Sequence, residues 1–320
     1  MNNSFYVVIF LAAFLTACSS SPRVEVIPGT QSDLGEGAVW NHRTSQLYWV
    51  DITGKTLNIY TPRLGMNREL YTGQLTGTVV PAESGLAVVA LQHGFYFIDP
   101  ETGTKNLIVD PEADRENNRF NDGKCDPSGR FWAGTMNMEG KPGQGSLYRL
   151  NPDSSVAQMV QQVSISNGIV WSNDHTRMYY IDTPTQKVMV YDFNNFTGEI
   201  TNGRTAIEIP EEMGNPDGMT IDSGGNLWIC LWQGAAVGCW DPETGKLVRK
   251  IVVPARNVTS CAFGDTDLRT LYITTARINT SEEDLKKYPD SGSLFKVRPG
   301  VTGVEAFFFR DSEKPQNNLQ

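Results

Sequence analysis

Six short runs of alternating aromatic and aliphatic residues recur along the chain, and they constrain its fold more than any other feature. They occupy residues 47–51, 86–90, 130–134, 178–182, 226–230 and 271–275. Successive runs lie roughly 40 to 50 residues apart, which is the length of a four-stranded propeller blade. No stretch has sustained helical periodicity, and we expect at most one short helical turn, over residues 281–288. The pattern predicts an all-β fold, a six-bladed β-propeller.

The two ends of such a ring must be joined to avoid an exposed sheet edge. We expect residues 24–27 to form a strand that pairs with residues 304–309 of the last blade. One propeller domain would then cover residues 24–310. Residues 19–23 before it are expected to be a polar linker, and residues 311–320 after it a polar tail.

The first 18 residues form a separate segment with an apolar run over residues 5–15. This run is too short to span a bilayer comfortably, and small residues follow it, as in a secretory signal. Its end, Leu15-Thr16-Ala17-Cys18, resembles the lipobox of bacterial lipoproteins, although no Lys or Arg precedes the run. The alternative is an uncleaved apolar N-terminus with an incidental cysteine. We expect an exported periplasmic or cell-envelope lipoprotein, lipidated at Cys18 and attached to a membrane only through that anchor.

The overall charge excludes two classes of main partner. The formal net charge is -9, and no cluster of Lys and Arg stands out anywhere in the sequence. Nucleic acid and anionic lipid surfaces require the opposite sign. We therefore expect no nucleic-acid partner, while the oligomeric state stays open.

Four cysteines follow the N-terminal segment, and none of them has the C-x-x-C spacing of a zinc or redox motif. They are Cys125, Cys230, Cys239 and Cys261. A two-residue hairpin turn centred on Gly234 and Ala235 would place Cys230 opposite Cys239. We expect these two thiols to be close neighbours and mostly reduced. In this register a strained disulfide between them is the alternative.

Three side chains with an oxygen atom, Glu36, Asn167 and Asp217, each precede a glycine and an apolar run. They occupy equivalent places in three blades, upstream of the aromatic strand, and the first strand of a blade lines the central channel. Two carboxylates and an amide at one point near the axis would repel or stay unsatisfied without a cation. Each residue alone is more often a turn or a cap, but the matched positions favour a site for Ca²⁺, Mg²⁺ or Mn²⁺.

The polar segment 118–124 precedes another blade strand. Taken alone it would be a turn. The alignment with the other blades places Asn121 at the same mouth of the channel, with Arg119 leaning over it. An Arg fork and an amide are suited to binding vicinal hydroxyls or a carboxylate.

These motifs resemble the SMP-30/gluconolactonase family, also called the regucalcin family. The matching segments are residues 35–40, 118–124, 126–130, 133–136, 165–168, 216–219 and 259–264. They occur in the order found in the family, from about residue 30 to residue 300. The resemblance implies a six-bladed propeller that hydrolyses aldonolactones with Ca²⁺, Zn²⁺ or a similar divalent ion.

The same resemblance implies roles for individual residues. Glu36, Asn167 and Asp217 match the metal ligands of the family. A second set matches its substrate contacts, namely Arg119, Asn121 and Glu139. The Gly-rich stretch after Glu139 is short in this sequence, and the residues after Glu36 are Gly-Ala where some relatives have Ser-Pro.

The function expected from this pattern is hydrolysis of a small-molecule sugar lactone to the hydroxy acid with one divalent cation. Ca²⁺ is the first expectation, and Zn²⁺, Mg²⁺ and Mn²⁺ are alternatives. The cation would act as Lewis acid and Asp217 as general base or proton shuttle. The sequence contains no Gly-x-Ser-x-Gly motif, which would have indicated covalent catalysis.

Two other functions stay open at the level of sequence. One is a calcium-stabilised binding propeller at the cell surface without turnover. The other is a lactonase or esterase that acts on substrates other than sugars. A binding scaffold has no use for Arg119 and Asn121, so their presence favours an enzyme.

Overall fold

The computed structural model describes residues 22–311, which form six four-stranded antiparallel sheets arranged as the blades of a propeller. The predicted six-bladed β-propeller is therefore confirmed. Cys18 and the signal-like segment lie outside the described residues, as do residues 312–320 of the polar tail. No helix within residues 22–311 is long and apolar enough to cross a membrane.

The first strand of each blade is the innermost, and in the first five blades each later strand lies farther from the axis. The first three blades contain β2 (Gly35–Asn41), β3 (Gln46–Asp51), β4 (Thr56–Thr61) and β5 (Met66–Tyr71); β6 (Thr76–Pro81), β7 (Ala87–Leu91), β8 (Gly94–Ile98) and β9 (Lys105–Val109); β10 (Asn118–Cys125), β11 (Phe131–Asn137), β12 (Gly145–Leu150) and β13 (Val156–Val163).

The remaining three blades follow the same plan, except that the last one takes its outermost strand from the N-terminal end. They contain β14 (Ser166–Trp171), β15 (Arg177–Asp182), β16 (Lys187–Asn194) and β17 (Glu199–Glu208); β18 (Asn215–Ile221), β19 (Leu227–Trp232), β20 (Ala236–Asp241) and β21 (Lys246–Val252); β22 (Asn257–Gly264), β23 (Thr270–Ala276), β24 (Leu294–Val297) and β1 (Glu25–Ile27). The expected helical turn is α1 (Glu282–Lys287), which begins after the N-cap Ser281.

The ring is closed in the sixth blade, as expected, but through a different strand. The N-terminal strand β1 pairs with β24 and not with residues 304–309. Pro299 and Gly300, which has a positive φ of 83°, end β24 and turn the chain away from the sheet. Residues 303–309, named the C-terminal strap, then cross the end of the channel. The strap forms one isolated bridge at Gly303, to Asp222, and another at Phe309, to Ala82.

The register predicted for the hairpin β19–β20 is wrong by two residues. Cys230 faces Val237 across the two strands, and Cys239 faces Trp228. Four residues connect the last paired residues, Leu231 and Ala236. Hydrogen bonds from Gln233 N to Asn257 Oδ1 and from Ala235 N to the Arg256 carbonyl hold this connection against the start of β22. Contacts with the next blade thus override the local turn preference. All four cysteines among the described residues are free and buried.

One irregularity recurs in every innermost strand. Each of these strands shifts its register against its neighbour once, at residues 36–39, 76–78, 120–123, 166–169, 216–219 and 258–261. Such β-bulges re-aim side chains that would otherwise follow the alternation of the strand. Because the six bulges lie at the same height in the ring, their side chains are directed to one level of the channel.

Close packing of adjacent innermost strands explains why a glycine follows Asn167 and Asp217. A Cβ atom at Gly168 would lie 2.7 Å from the carbonyl oxygen of Asp217, and one at Gly218 would lie 2.8 Å from that of Thr259. Real Cβ atoms do not approach that closely, so only glycine lets adjacent innermost strands come together near the axis. The residue–glycine pattern in the sequence is the signature of this bulge.

Candidate active site

The bulges of β2, β14 and β18 bring Glu36, Asn167 and Asp217 together near the axis. All three are buried, with 4%, 4% and 5% of their surface exposed. Asp217 is close enough to the Asn167 amide and the Glu36 carboxyl for both to influence its pKa. The three residues that the sequence singled out therefore face one point.

A fourth side chain at this point, Asp122, was missed by the sequence analysis. It is 2% exposed, and its Oδ2 atom has no hydrogen-bond partner among residues 22–311. Its charge raises the pKa of both Glu36 and Asp217. The signal was present, because Asp122-Gly123 repeats the residue–glycine pattern. Lys124, standing where the other blades have an apolar residue, concealed it.

Burial strongly shifts the pKa values of the carboxyl groups at this site. Loss of solvent raises the pKa of Glu36 well above its ordinary value, and the Asp217 and Asp122 charges add to this effect. Burial likewise raises the pKa of Asp217 to about 8. It lowers the pKa of the Arg119 guanidinium to about 10. Desolvation is the main cause of all three shifts. Repulsion between neighbouring carboxylates adds to the shifts of Glu36 and Asp217, and an added positive charge would relieve that repulsion.

The oxygen atoms of the site fit a hard divalent cation. The Nδ2 atom of Asn167 donates to Thr183 Oγ1 at 3.0 Å, and Thr183 Oγ1 donates to the Pro216 carbonyl at 2.8 Å. This arrangement directs Asn167 Oδ1 away from Thr183, and that buried oxygen has no hydrogen-bond partner in the described part of the chain. A buried acceptor without a donor is costly unless a ligand satisfies it.

The types of ligand atom in the candidate site indicate which class of ion it could hold. Residues 22–311 contain no group of three or more His, Cys, Asp and Glu side chains arranged as a metal site. The candidate set combines the carboxylates of Glu36 and Asp217 with the amide oxygen of Asn167, and Asp122 does not complete such a group with the two acids. Carboxylate and amide oxygens, without imidazole or thiolate, are the ligands preferred by Ca²⁺, Mg²⁺ and Mn²⁺.

Arg119 and Asn121 form a pair beside these acids. Arg119 Nη1 donates to Asn121 Oδ1 at 2.8 Å and to the Phe120 carbonyl at 2.9 Å. Asn121 Nδ2 donates to the carbonyl oxygen of Ser166 in the next blade at 2.7 Å. The guanidinium is thus fixed in place, and its charge acts on both Glu36 and Asp217, as expected for a neighbour of the site.

Glu139 lies apart from this pair. Its carboxylate is half-exposed and forms an ion pair with Lys141. The backbone N–H of Glu139 donates to Asn137 Oδ1 at 3.1 Å, which holds the short rim loop at its start. No hydrogen bond joins Glu139 to Arg119 or Asn121 in the structure described. The structure places Glu139, which the resemblance implied as a substrate contact, at the rim and does not bring it into the site.

A buried cluster of carboxylate and amide oxygens beside a fixed guanidinium, at the axis of a six-bladed propeller, has the groups that a metal-assisted hydrolase requires. The sequence model of the SMP-30/Gluconolactonase/LRE-like region matches residues 34–277. This chain therefore belongs to the SMP-30/gluconolactonase family.

Individual relatives agree with this membership over almost the whole chain. The putative sugar lactone lactonase YvrE of Bacillus subtilis is 40% identical over 276 residues, covering 86% of this chain and 94% of the relative. Regucalcin of Danio rerio is 39% identical over 293 residues, covering 91% and 99%.

Two solved structures share the fold. A luciferin-regenerating enzyme superposes with a TM-score of 0.86 at 33% identity, covering 91% of this chain and 100% of that one. A calcium-binding regucalcin from Agrobacterium tumefaciens also reaches 0.86, at 26% identity, covering 91% and 97%.

Proposed function

We propose that this protein is a metal-dependent lactonase that hydrolyses a sugar lactone of the aldonolactone type to its hydroxy acid. The observation that carries the proposal is the buried, unpartnered oxygen of Asn167 among three carboxylates, next to the fixed guanidinium of Arg119. The names of the relatives supply the substrate class, because one is a putative sugar lactone lactonase.

Glu36, Asn167 and Asp217 would hold one divalent cation, and the buried Asp122 would add negative charge beside it. The relative described as a calcium-binding regucalcin favours Ca²⁺, while Zn²⁺, Mg²⁺ and Mn²⁺ are the alternatives. When bound, such an ion would polarise the lactone carbonyl and stabilise the developing oxyanion.

Asp217 is the proposed general base. Its carboxyl is buried and faces the centre of the site, and a bound cation would keep it ionised and able to accept a proton. The proton of an attacking water would pass to an Asp217 carboxylate oxygen and from there to the leaving alkoxide. Ring opening then yields the free hydroxyl and the carboxylic acid, which releases its proton to solvent to become the carboxylate.

Arg119 and Asn121 are proposed to position the sugar ring. Only Nη1 of the guanidinium is engaged within residues 22–311, so its remaining N–H groups are available to hydroxyl or carbonyl oxygens of a substrate. Glu139 is proposed as a further contact from the rim loop. It would have to exchange its ion pair with Lys141 for a substrate hydroxyl.

The test is a panel of aldonolactones assayed for acid release, with and without EDTA. We expect turnover that EDTA abolishes and a divalent cation restores. Arg119→Ala should lose activity, whereas Arg43→Ala, at the far end of the channel, should not. Cation binding without turnover of any lactone would instead identify the non-catalytic binding propeller, and turnover confined to non-sugar lactones would correct the substrate class.

For the N-terminal segment, we propose export and lipidation at Cys18. This proposal rests on the sequence of residues 1–18 alone. It places the enzyme in the periplasm or cell envelope, where sugar lactones would have to reach it.

A further inference from the structure

The channel contains a second cavity, at the end opposite to the candidate active site. The same innermost strands line it a few residues farther along, at Trp40, Lys124, Val170 and Ile221. Its volume is about 440 Å³. Packing voids in protein interiors are rarely larger than a water molecule, whereas pockets for small organic ligands begin at roughly 300 Å³. The cavity therefore has the size of a ligand site.

The C-terminal strap covers this cavity. Residues 304–307 line it, between the bridges that fix the strap at Gly303 and Phe309. Phe309 N donates to the Pro81 carbonyl at 2.8 Å, and Gly303 N donates to the Leu268 carbonyl at 2.8 Å. Between these two anchors, the peptide groups of residues 304–308 form no backbone hydrogen bond within the described chain. The strap thus spans the cavity without filling it.

Lys124 gives this cavity its charge. Its Nζ atom, which belongs to the third blade, donates to the Met219 carbonyl of the fifth blade at 2.8 Å. Because the fourth blade lies between them, the Lys124 side chain reaches across the channel. It separates the carboxylates of the active site from the apolar cavity. Among the described residues that line the cavity, Lys124 is the only Lys or Arg.

The remaining lining is mostly apolar and contains one unsatisfied donor. The indole of Trp171 is 3% exposed, and its Nε1 atom has no acceptor within residues 22–311. Glu305 on the strap is the only acidic side chain among the described residues of the lining, and its exposed carboxylate lies 4.0 Å from His42 Nε2. An anionic head group would be repelled at the strap and attracted at Lys124, so a ligand would enter with its charge inward.

We infer that this cavity is a second small-molecule site, for a medium-chain monocarboxylate whose head group contacts Lys124 and whose apolar chain lies under the strap. An alkyl chain matches the walls formed by Val80, Val170, Ile221 and Phe263. A carboxylate matches the ammonium group, which has donors to spare beyond its bond to Met219. The site is separate from the proposed lactonase site and does not depend on it.

The test uses octanoate as the probe and octanol as a neutral probe with the same apolar chain. Binding to the full-length protein is followed by calorimetry and by the fluorescence of Trp40 and Trp171. We expect octanoate to bind at least about tenfold more tightly than octanol, the scale of a hydrogen bond to a charged group. Equal affinities, or no binding of octanoate, would overturn the inference.

Three variants locate the site. Lys124→Met should reduce octanoate affinity to that of octanol and leave octanol within about twofold, while Lys296→Met at the surface should change neither. Ala306→Phe on the strap fills the cavity and should weaken both probes about tenfold or more. Unchanged binding in Ala306→Phe, or displacement of octanoate by gluconate, would place the probe elsewhere and refute the assignment.

Discussion

The two ends of the central channel are built from the same six strands, yet they differ in almost every physical property. At one end each strand is interrupted by a bulge, and Glu36, Asp122 and Asp217 are buried with raised pKa values. At the other end the strands pair in regular register, as Ile221 does with Leu227, and the walls are apolar. The difference shows that the reactive groups lie where regular strand geometry is broken.

At the bulged end the six blades contribute two different kinds of side chain. Four blades contribute charged or amide side chains there, whereas the second and sixth blades contribute hydroxyl groups. Thr78 Oγ1 donates to the Gly123 carbonyl at 3.2 Å, and Thr259 Oγ1 donates to the Gly35 carbonyl at 2.6 Å. These hydroxyls tie neighbouring innermost strands together. The three acids come from alternate blades, the first, third and fifth, and therefore approach the axis from around the ring.

The largest effect is expected from Asp217→Asn at the bulged end. This change removes a proposed general base and a charged ligand, so we expect kcat/KM for an aldonolactone to fall at least about a hundredfold. It also removes one of several repelling buried charges, so the cation-free variant should unfold at a Tm no lower than that of the wild type. Initial rates and thermal unfolding in EDTA measure both effects. Wild-type turnover would refute the assigned role, and Asp267→Asn at the surface is the matched control.

Arg119→Ala separates substrate binding from cation binding at the same end. We expect kcat/KM to fall about 10- to 100-fold, the cost of losing hydrogen bonds from a charged donor. The dissociation constant of the cation should stay nearly unchanged, because the guanidinium is not a ligand. Steady-state kinetics and calorimetric cation titration give the two values. Parallel losses of cation and activity would show that Arg119 supports the metal set and does not contact the substrate.

Thr183 offers a smaller and more specific perturbation, because its hydroxyl fixes the Asn167 amide from behind. Thr183→Val keeps the shape but removes the acceptor, so the amide can rotate and present its nitrogen to the cation. We expect the cation to bind about tenfold more weakly, as for other residues that orient a metal ligand. Thr183→Ser should restore the affinity. Calorimetry with Ca²⁺ gives the result independently of turnover, and equal affinities in all three proteins would contradict this role.

Ile221→Ala tests the opposite end of the same strand, four residues from Asp217. Ile221 is buried between the fourth and fifth blades. Removal of a buried isoleucine side chain costs roughly 2–5 kcal/mol, so unfolding in urea should begin at lower concentration. We expect kcat/KM to change by less than about twofold, because the bulge is undisturbed. A loss of activity as large as that of Asp217→Asn would mean that the two ends are not independent.

Much of this architecture follows from local sequence patterns, and the exceptions have a common cause. The aromatic runs set the number of blades, and the residue–glycine pattern marked Glu36, Asn167 and Asp217, which the structure brings together. Such signals repeat from blade to blade because each blade solves the same packing problem. The convergence of these residues depends on the closed ring and on the bulge that recurs in the innermost strands.

The features that were mispredicted depend on contacts between distant segments. Asp122 was overlooked because Lys124, which reaches across the channel, replaces the apolar residue of the motif. The β19–β20 register failed because the loop is held by residues at the start of the next blade. The strap left the sheet because Pro299 and Gly300 end β24. Bridges to Asp222 and Ala82 then hold it across the channel. The β19–β20 loop, Lys124 and the strap all contact residues of another blade, which the local pattern does not show.

Cys18→Ser is expected to have the smallest effect on activity and on octanoate binding, because residue 18 precedes every residue of the two channel sites. The lipobox-like segment predicts that the wild-type protein sediments with membranes after cell fractionation and is released by detergent. Without the thiol no lipid can be attached, so the variant should appear in the soluble fraction. Its kcat/KM for aldonolactones and its octanoate affinity should equal those of the wild type, because the propeller begins its first strand only at Glu25. Mass spectrometry of the N-terminal peptide checks the modification directly. A wild-type chain that starts at Met1 and is soluble in the cytoplasm would refute the lipoprotein proposal while leaving both channel sites untouched.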